Sequence, residues 1–108
     1  MIAKINQTIS IDQLNLLIGI EEKFVKDKAT TREDKIAQSQ SSEILSLLRR
    51  KKFFLMKNDN HKRKIALKYH LANKLLKDVE MTLEYNSYNE VQNKLLTEYL
   101  TNLQSKLN

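Results

Sequence analysis

The sequence has no proline and only one glycine, Gly19, among its 108 residues. Tight turns between β-strands depend on the positive φ angles that glycine adopts freely, so a multi-stranded fold is hard to build from this composition. Helices need neither residue when asparagine, serine or threonine caps their ends. The composition therefore predicts an all-α protein, in which Gly19 allows a neighbouring helix to approach closely or opens a binding groove.

Cysteine is also absent, which excludes disulfides, thiolate metal sites and cysteine nucleophiles. The longest apolar run, residues 14–20, is too short to cross a membrane, and the N-terminus lacks the features of a signal peptide. We therefore expect a soluble, cytoplasmic chain with no membrane span. Its length predicts one helical domain, residues 1–108, with residues 1–9 as a candidate flexible segment.

Residues that could carry out catalysis or hold a cofactor form no recognisable motif. The chain lacks the glycine-rich loops that cradle phosphates, and its serines lie outside the motifs of known serine nucleophiles. His61 and His70 are nine residues apart, which places them on opposite faces of one predicted helix. Adjacent acids such as Glu21 and Glu22 point apart on a helix and are interpreted as solvent-facing. The sequence therefore predicts a non-enzymatic protein with no catalytic residue, metal site or cofactor.

Capping patterns divide the chain into four predicted helices. Ser10 and Gln13 have the spacing of a capping box, and the first helix is predicted to begin there. Thr30 or Thr31 opens the second helix, in which the polar stretch 38–42 is either a solvated turn or a break. Each of these opening residues can accept hydrogen bonds from the first turn of a helix.

The third predicted helix, residues 61–85, carries the clearest apolar seam in the chain. An asparagine–aspartate corner at residues 58–60 separates it from the second helix, and a second capping box at Ser87 and Glu90 opens the fourth. The second and third helices are predicted to pair as a long antiparallel hairpin. The two outer helices then close a small bundle of about four helices.

Positive charge is concentrated around this corner. Residues 49–77 contain eleven lysines and arginines but a single acid, Asp59. These cations could bind an acidic protein surface or neutralise phosphates, with Phe53 or Phe54 stacking on an exposed base. A third interpretation is a solvated corner without a ligand. The predicted partner-binding residues of this basic corner are Arg49, Arg50, Lys51, Lys52, Phe53, Lys62, Arg63, Lys64 and Lys68.

A second row of leucines lies beside the seam of the third helix, and the fourth helix has two more beside its main stripe. A core of this chain length has little room for all of them, and exposed apolar rows tend to be buried in interfaces. We therefore predict a homodimer or partner interface on this apolar row, which comprises Leu67, Leu71, Leu75, Leu96 and Leu100.

The two surfaces, without a motif for chemistry, favour a helical protein-binding module that modulates a protein partner. An inhibitor, an adaptor and a chaperone are the three types that fit this description. The expected partner is a protein with an acidic surface. The alternative is a nucleic-acid-binding regulator that uses the basic corner at residues 49–68, although no known DNA- or RNA-reading motif is present.

Overall fold

Four helices and one antiparallel pair of strands form the part of the chain that the structure describes. The computed structural model describes residues 4–55 and 63–107, with the side chains of residues 53–55 and 63 left aside. Helices hold 77% of the described residues, so the prediction of an all-α protein is confirmed only to the extent that the fold is mostly helical, because a small sheet of two strands is also present. In chain order the elements are β1 (Lys4–Ile9), α1 (Ile11–Lys26), α2 (Arg32–Leu55), β2 (Arg63–Lys68), α3 (Tyr69–Tyr85) and α4 (Glu90–Leu107).

The first two helices begin at the capping residues that the sequence predicts. Before α1, Ser10 Oγ accepts from the Gln13 N–H at 3.1 Å, and Gln13 Oε1 accepts from the Ser10 N–H at 3.0 Å. Before α2, Thr31 Oγ1 accepts from the Asp34 N–H at 3.0 Å. Both caps satisfy N–H groups that have no earlier carbonyl to bond, and the capping box at Ser10 is confirmed.

α2 runs through residues 38–42 without a break. Gln38 in this stretch also ends α1, because its Nε2 donates to the carbonyl oxygens of Val25 and Asp27, both at 2.6 Å. Carbonyls at a helix C-terminus have no partner within the helix, so they need such donors. The polar stretch is therefore a helical turn that secures α1 against α2.

The residues predicted to begin the third helix form a strand instead. β2 pairs antiparallel with β1, with Ile5 opposite Leu67 and Gln7 opposite Ile65. Ile65 and Leu67 are buried while the residues beside them are exposed, and this alternation is the side-chain pattern of a strand. The prediction of one helix over residues 61–85 is therefore wrong at its start, since an apolar spacing of two favours a strand wherever a second strand can pair with it.

The ribbon of two strands also affects the predictions for the N-terminal segment and for the long hairpin. Residues 4–9 are a paired strand rather than a flexible segment. α3 has only 17 residues, and the long antiparallel hairpin is not confirmed within the described part of the chain. The predicted corner at residues 58–60 lies outside the described residues.

The cap of α4 lies further along the chain than the sequence predicts. Asn89, rather than Ser87, accepts from the Gln92 N–H at 2.8 Å, and Gln92 Oε1 accepts from the Asn89 N–H at 3.2 Å. An asparagine and a glutamine at this spacing satisfy the same two N–H groups as a serine and a glutamate. The chemistry of the predicted capping box is therefore retained with different residues.

The core lies between the helices and the inner face of the ribbon. Tyr99 on α4 donates to Gln7 Oε1 on β1, and Gln13 Nε2 on α1 donates to the Leu95 carbonyl of α4 at 3.1 Å. These bonds hold α4 against both β1 and α1. The buried apolar side chains are Ile9, Leu14, Leu17, Ile18, Ile20, Ile44, Leu45, Leu48, Ile65, Leu67, Leu71, Ala72, Leu75, Val79, Leu96, Tyr99 and Leu103.

Gly19 is exposed on α1, and no described atom of another element lies within 4 Å of the position that a Cβ would take. The predicted close approach of a neighbouring helix is therefore wrong. We expect Gly19→Ala to stabilise the protein by about 1 kcal/mol, because alanine costs less backbone entropy in a helix and meets no clash here. Urea unfolding followed by circular dichroism measures this change, and a loss of stability would contradict the open placement of Gly19.

Candidate functional site

Cations from α2 and from the ribbon lie on one side of the protein. Lys4 is opposite Lys68 across the strand pair and Lys64 is opposite Thr8, with all three lysines exposed on the outer side of the ribbon. Like charges directly opposite each other on neighbouring strands are destabilising, so the fold gains nothing from the pair of Lys4 and Lys68. We call this side the basic face, and it comprises Lys4, Arg50, Lys51, Lys64 and Lys68.

A groove of about 260 Å³ separates β2 from the C-terminal half of α2. Leu47 and Leu48 line it on the helix side, and Ile65 and Leu67 line it on the strand side. Arg50 and Lys51 complete the helix side, and Ala66 completes the strand side. The groove therefore combines an apolar lining with two cations of the basic face.

The structure brings together only part of the predicted basic corner. Arg49 lies on the other side of α2, where its Nη2 is 3.6 Å from Oε2 of Glu22 on α1. Lys52 is half-buried and does not line the groove. Outside the described part of the structure are Lys62 and the side chains of Phe53 and Arg63.

Hydrogen bonds of β1 to the helices show which of its residues point their backbone N–H and C=O groups away from β2. The Asn6 carbonyl accepts from Lys106 Nζ on α4, and the Ser10 N–H donates to Gln13 on α1. Because the N–H and C=O of a strand residue point the same way, every second residue of β1, Asn6 among them, turns its backbone groups away from β2.

The residues opposite these on β2 turn their backbone groups away from β1. Lys64 is opposite Thr8 and Ala66 is opposite Asn6, so both present an N–H and a C=O on the edge of β2 that borders the groove. Among the described residues, no hydrogen bond outside the ladder reaches this edge at Lys64 or Ala66. The groove is therefore bordered by backbone donors and acceptors as well as by cations and leucines.

The predicted apolar row lies mostly in the core. Leu67, Leu71, Leu75 and Leu96 are buried within the chain, and only Leu100 is half-buried. The prediction that this row is exposed is therefore wrong, because Leu71 and Leu75 lie on the face of α3 that packs in the core. The homodimer remains a prediction, but these four leucines are not surface that a second copy could cover.

A polar cluster that the sequence analysis missed lies where α1, α2 and α3 meet. Lys74 Nζ on α3 donates to both carboxylate oxygens of Asp78 at 2.6 Å and to Ser41 Oγ on α2 at 3.0 Å. It also lies 4.7 Å from the centre of the Phe24 ring, within the range of a cation–π contact. These contacts link three helices through one ammonium group.

Glu21 on α1 completes this cluster, and its side chain is 0% exposed. Burial, followed by the hydrogen bond and the negative charge of Asp78, raises the pKa of Glu21 from 4.5 to about 9, while Lys74 acts weakly in the opposite direction. No donor among the described residues reaches either Glu21 oxygen. A protonated Glu21 supplies its own donor to Asp78, so the cluster is satisfied when the two carboxyl groups share one proton.

The contact of Ser41 with Lys74 has the composition of a serine–lysine dyad, but its geometry differs from that of a nucleophile. A lysine that activates a serine must accept its proton, whereas Lys74 Nζ donates to both oxygens of Asp78. Ser41 is also fully buried. We therefore interpret the cluster as a cross-link between helices, and the absence of enzymatic activity stays a prediction.

The sequence contains a signal for this cluster in its spacing. Glu21 follows Leu17 by four residues and Asp78 follows Leu75 by three, so both acids fall on the apolar faces of their helices. Ionisable residues at such positions are buried, and buried ionisable residues need partners. Their placement could therefore have been predicted, unlike the groove.

Comparisons of the chain with models of protein families, with curated protein sequences and with solved structures find no match. Within the described segments, no helix combines the length and the apolarity that crossing a membrane requires. Nor do three potential metal ligands come together anywhere in the described residues. An account of function therefore depends on the groove and its surroundings.

Proposed function

We propose that this protein is a non-enzymatic binding module that modulates a protein partner with an acidic surface, as an inhibitor, an adaptor or a chaperone does. The observation that carries the proposal is the groove, in which Arg50 and Lys51 of α2 lie beside an apolar lining from α2 and β2. Apolar lining provides contact area for a protein segment, and the cations orient it and accelerate its encounter.

The lysines on the outer face of the ribbon are better explained by binding than by a contribution to the stability of the fold. The six outer residues of the ribbon include three lysines and no acid, and the pair of Lys4 and Lys68 repels across the strands. A positive patch that costs stability is explained when a negative partner approaches it. The proposed partner surface therefore carries several aspartates or glutamates around an apolar centre.

A nucleic acid is the competing ligand, since the same exposed cations could contact phosphates. Phosphate contacts need no apolar groove, however, and the leucines that line it would have no role with a duplex. We therefore favour a protein, and the experiment below separates the two classes.

Removing the charges of the basic face is expected to abolish capture of the partner. The tagged wild-type chain is compared with a variant in which Arg50, Lys51, Lys64 and Lys68 are replaced by glutamine. In a matched control the same number of exposed cations elsewhere are replaced by glutamine, namely Arg32, Lys35, Lys77 and Lys94. Proteins retained from an extract of the source cell after nuclease treatment are identified by mass spectrometry.

The wild type and the control should retain the same acidic proteins, and the basic-face variant should lose them, with at least about tenfold weaker binding to the purified partner. Binding should also weaken as salt rises, because exposed charges are screened. Retention of the same proteins by the basic-face variant would refute the proposal. Loss of all captured material on nuclease treatment would support the nucleic-acid alternative.

A further inference from the structure

The edge of β2 that faces away from β1 carries backbone N–H and C=O groups that could pair with another strand. Lys64 and Ala66 present backbone groups on the edge that borders the groove, and α2 lies on the far side of the groove. Within residues 4–55 and 63–107, β1 is the one strand that pairs with β2. Exposed strand edges pair readily with extended chains, and proteins commonly use such edges to bind peptides. The ribbon therefore offers hydrogen-bonding groups in addition to charge and apolar surface.

We propose that an extended acidic segment of the partner binds as a third strand between β2 and α2, and that acidic and apolar residues alternate along this segment. The inference rests on the proposed function and specifies how the partner is recognised. Its main chain bonds to the outward groups of Lys64 and Ala66, which leaves the pairing of β2 with β1 intact.

The alternation follows from the geometry of a sheet, in which successive side chains point to opposite faces. On the outer face, the side chains of an added strand lie beside Lys64 and Lys68, which are exposed and positive. On the inner face they lie beside Ile65 and Leu67 and meet the leucines of α2. Acids match the first environment and apolar residues match the second, so a segment of one type throughout would fit only one face.

The cations of α2 favour an acidic segment over a neutral one. Arg50 and Lys51 line the same groove, and no acid is among the described residues that line it. An arginine can bind a carboxylate through two parallel hydrogen bonds, which fixes orientation as well as attracting charge. The groove thus selects an anionic strand by charge and an alternating strand by shape.

The test uses the full-length chain and short synthetic peptides labelled with a fluorophore. The peptide Glu-Val-Asp-Val-Glu-Val-Asp-Val has the proposed alternation, and Glu-Asp-Glu-Asp-Val-Val-Val-Val has the same composition and charge in blocks. We expect the alternating peptide to bind at least about tenfold more tightly at one ionic strength. Equal binding of the two would refute strand addition, since charge alone would then account for affinity.

Backbone methylation of the peptide tests the edge directly. One version of the alternating peptide is methylated at the amides of its acids and another at the amides of its valines. A strand pairs with β2 through one edge only, so one version should lose binding and the other should retain it. Equal behaviour of the two versions would overturn the proposal.

Ala66→Pro removes the outward N–H of Ala66 but no bond of the ladder to β1. Proline is tolerated on an edge of this kind, and Ala66→Val is the matched control that keeps the N–H. We expect Ala66→Pro to weaken binding of the alternating peptide at least about tenfold and Ala66→Val to change it little, with circular dichroism as the check of folding. If Ala66→Pro does not fold, the two methylated peptides decide the question with the wild-type chain.

Failure of this inference differs from failure of the proposed function. If the alternating and block peptides bind equally, yet the basic-face variant still loses its partner, strand addition is wrong and the proposed function stands. If a single-stranded RNA of equal charge binds more tightly than both peptides, the ligand is a nucleic acid and both proposals are wrong.

Discussion

Replacing Leu71 by glutamate is expected to unfold the protein. Leu71 on α3 lies in the hydrophobic core and is 1% exposed. The substitution therefore removes a buried apolar side chain and places a carboxylate among apolar neighbours. Loss of a buried leucine alone costs about 2–5 kcal/mol, and an unpaired buried charge adds to this. The sum is comparable with the whole stability of a domain, typically about 5–15 kcal/mol. Circular dichroism and urea unfolding should show loss of helicity or a large decrease in midpoint.

Val91→Glu is the matched control, because Val91 is 68% exposed near the start of α4. Its cost is expected to stay within about 0.5 kcal/mol, as for most surface substitutions. If Leu71→Glu kept its helicity and lost only partner binding, Leu71 would belong to a docking surface, as the sequence analysis predicted. Unfolding of Leu71→Glu would confirm instead that Leu71 belongs to the hydrophobic core.

Raising the pH is expected to destabilise the protein through Glu21. Its pKa rises from 4.5 to about 9 on folding, so between these values the folded chain holds a proton that the unfolded chain has released. Stability contributed by this group is then fully present below about pH 4.5 and decreases by up to ~1.4 kcal/mol per pH unit as the pH approaches 9. The free energy of unfolding, measured by urea titration across this window, should decrease by several kcal/mol.

Glu21→Gln is the control that isolates this effect. The amide is neutral and of similar size, and it can donate to Asp78 as the protonated carboxyl does. The groups that face Glu21 are Asp78 and Lys74 on α3, Ser41 on α2 and the Tyr99 hydroxyl on α4. All of them remain in the variant. The difference in stability between wild type and variant should therefore change with pH, and a constant difference would show that Glu21 is ionised in the fold.

Local chemistry made the starts of α1 and α2 predictable. Ser10 and Gln13 form a complete capping box within four neighbouring residues, so the sequence contains everything needed to specify it. The cap of α4 was assigned to Ser87 instead of Asn89, because both residues can accept the same hydrogen bonds.

The ribbon could not be predicted in the same way. Neither strand buries much alone, and Ile5 meets Leu67 only after about sixty intervening residues have folded back. The spacing of Ile65 and Leu67 is compatible with both a strand and one edge of a helical seam, and the pairing with β1 decides between them. The same non-local pairing explains why the basic corner was identified by charge while its groove was not.

The core row on α3 illustrates a different limit. The seam with the most regular spacing comprises Ile65, Tyr69, Ala72, Leu76, Val79 and Leu83. Ile65, Ala72 and Val79 of this seam are buried, but Leu76 and Leu83 are half-buried and Tyr69 is exposed. The adjacent row, with Leu71 and Leu75, faces the other helices. Two apolar rows on one helix lie about 100° apart or less, so a sequence alone does not specify which of them the remaining elements will cover.

The separation of Ile5 from Leu67 also shapes the order of folding. α1 and α2 are neighbours in the chain and can pack early, whereas the strands must wait for a long loop to close, which is slow and entropically costly. β1 is then held on its other side by Tyr99 and Lys106 of α4. During synthesis, β1 therefore leaves the ribosome before β2 and α4, the elements that hold it, and its edges stay available to other chains until those elements have formed.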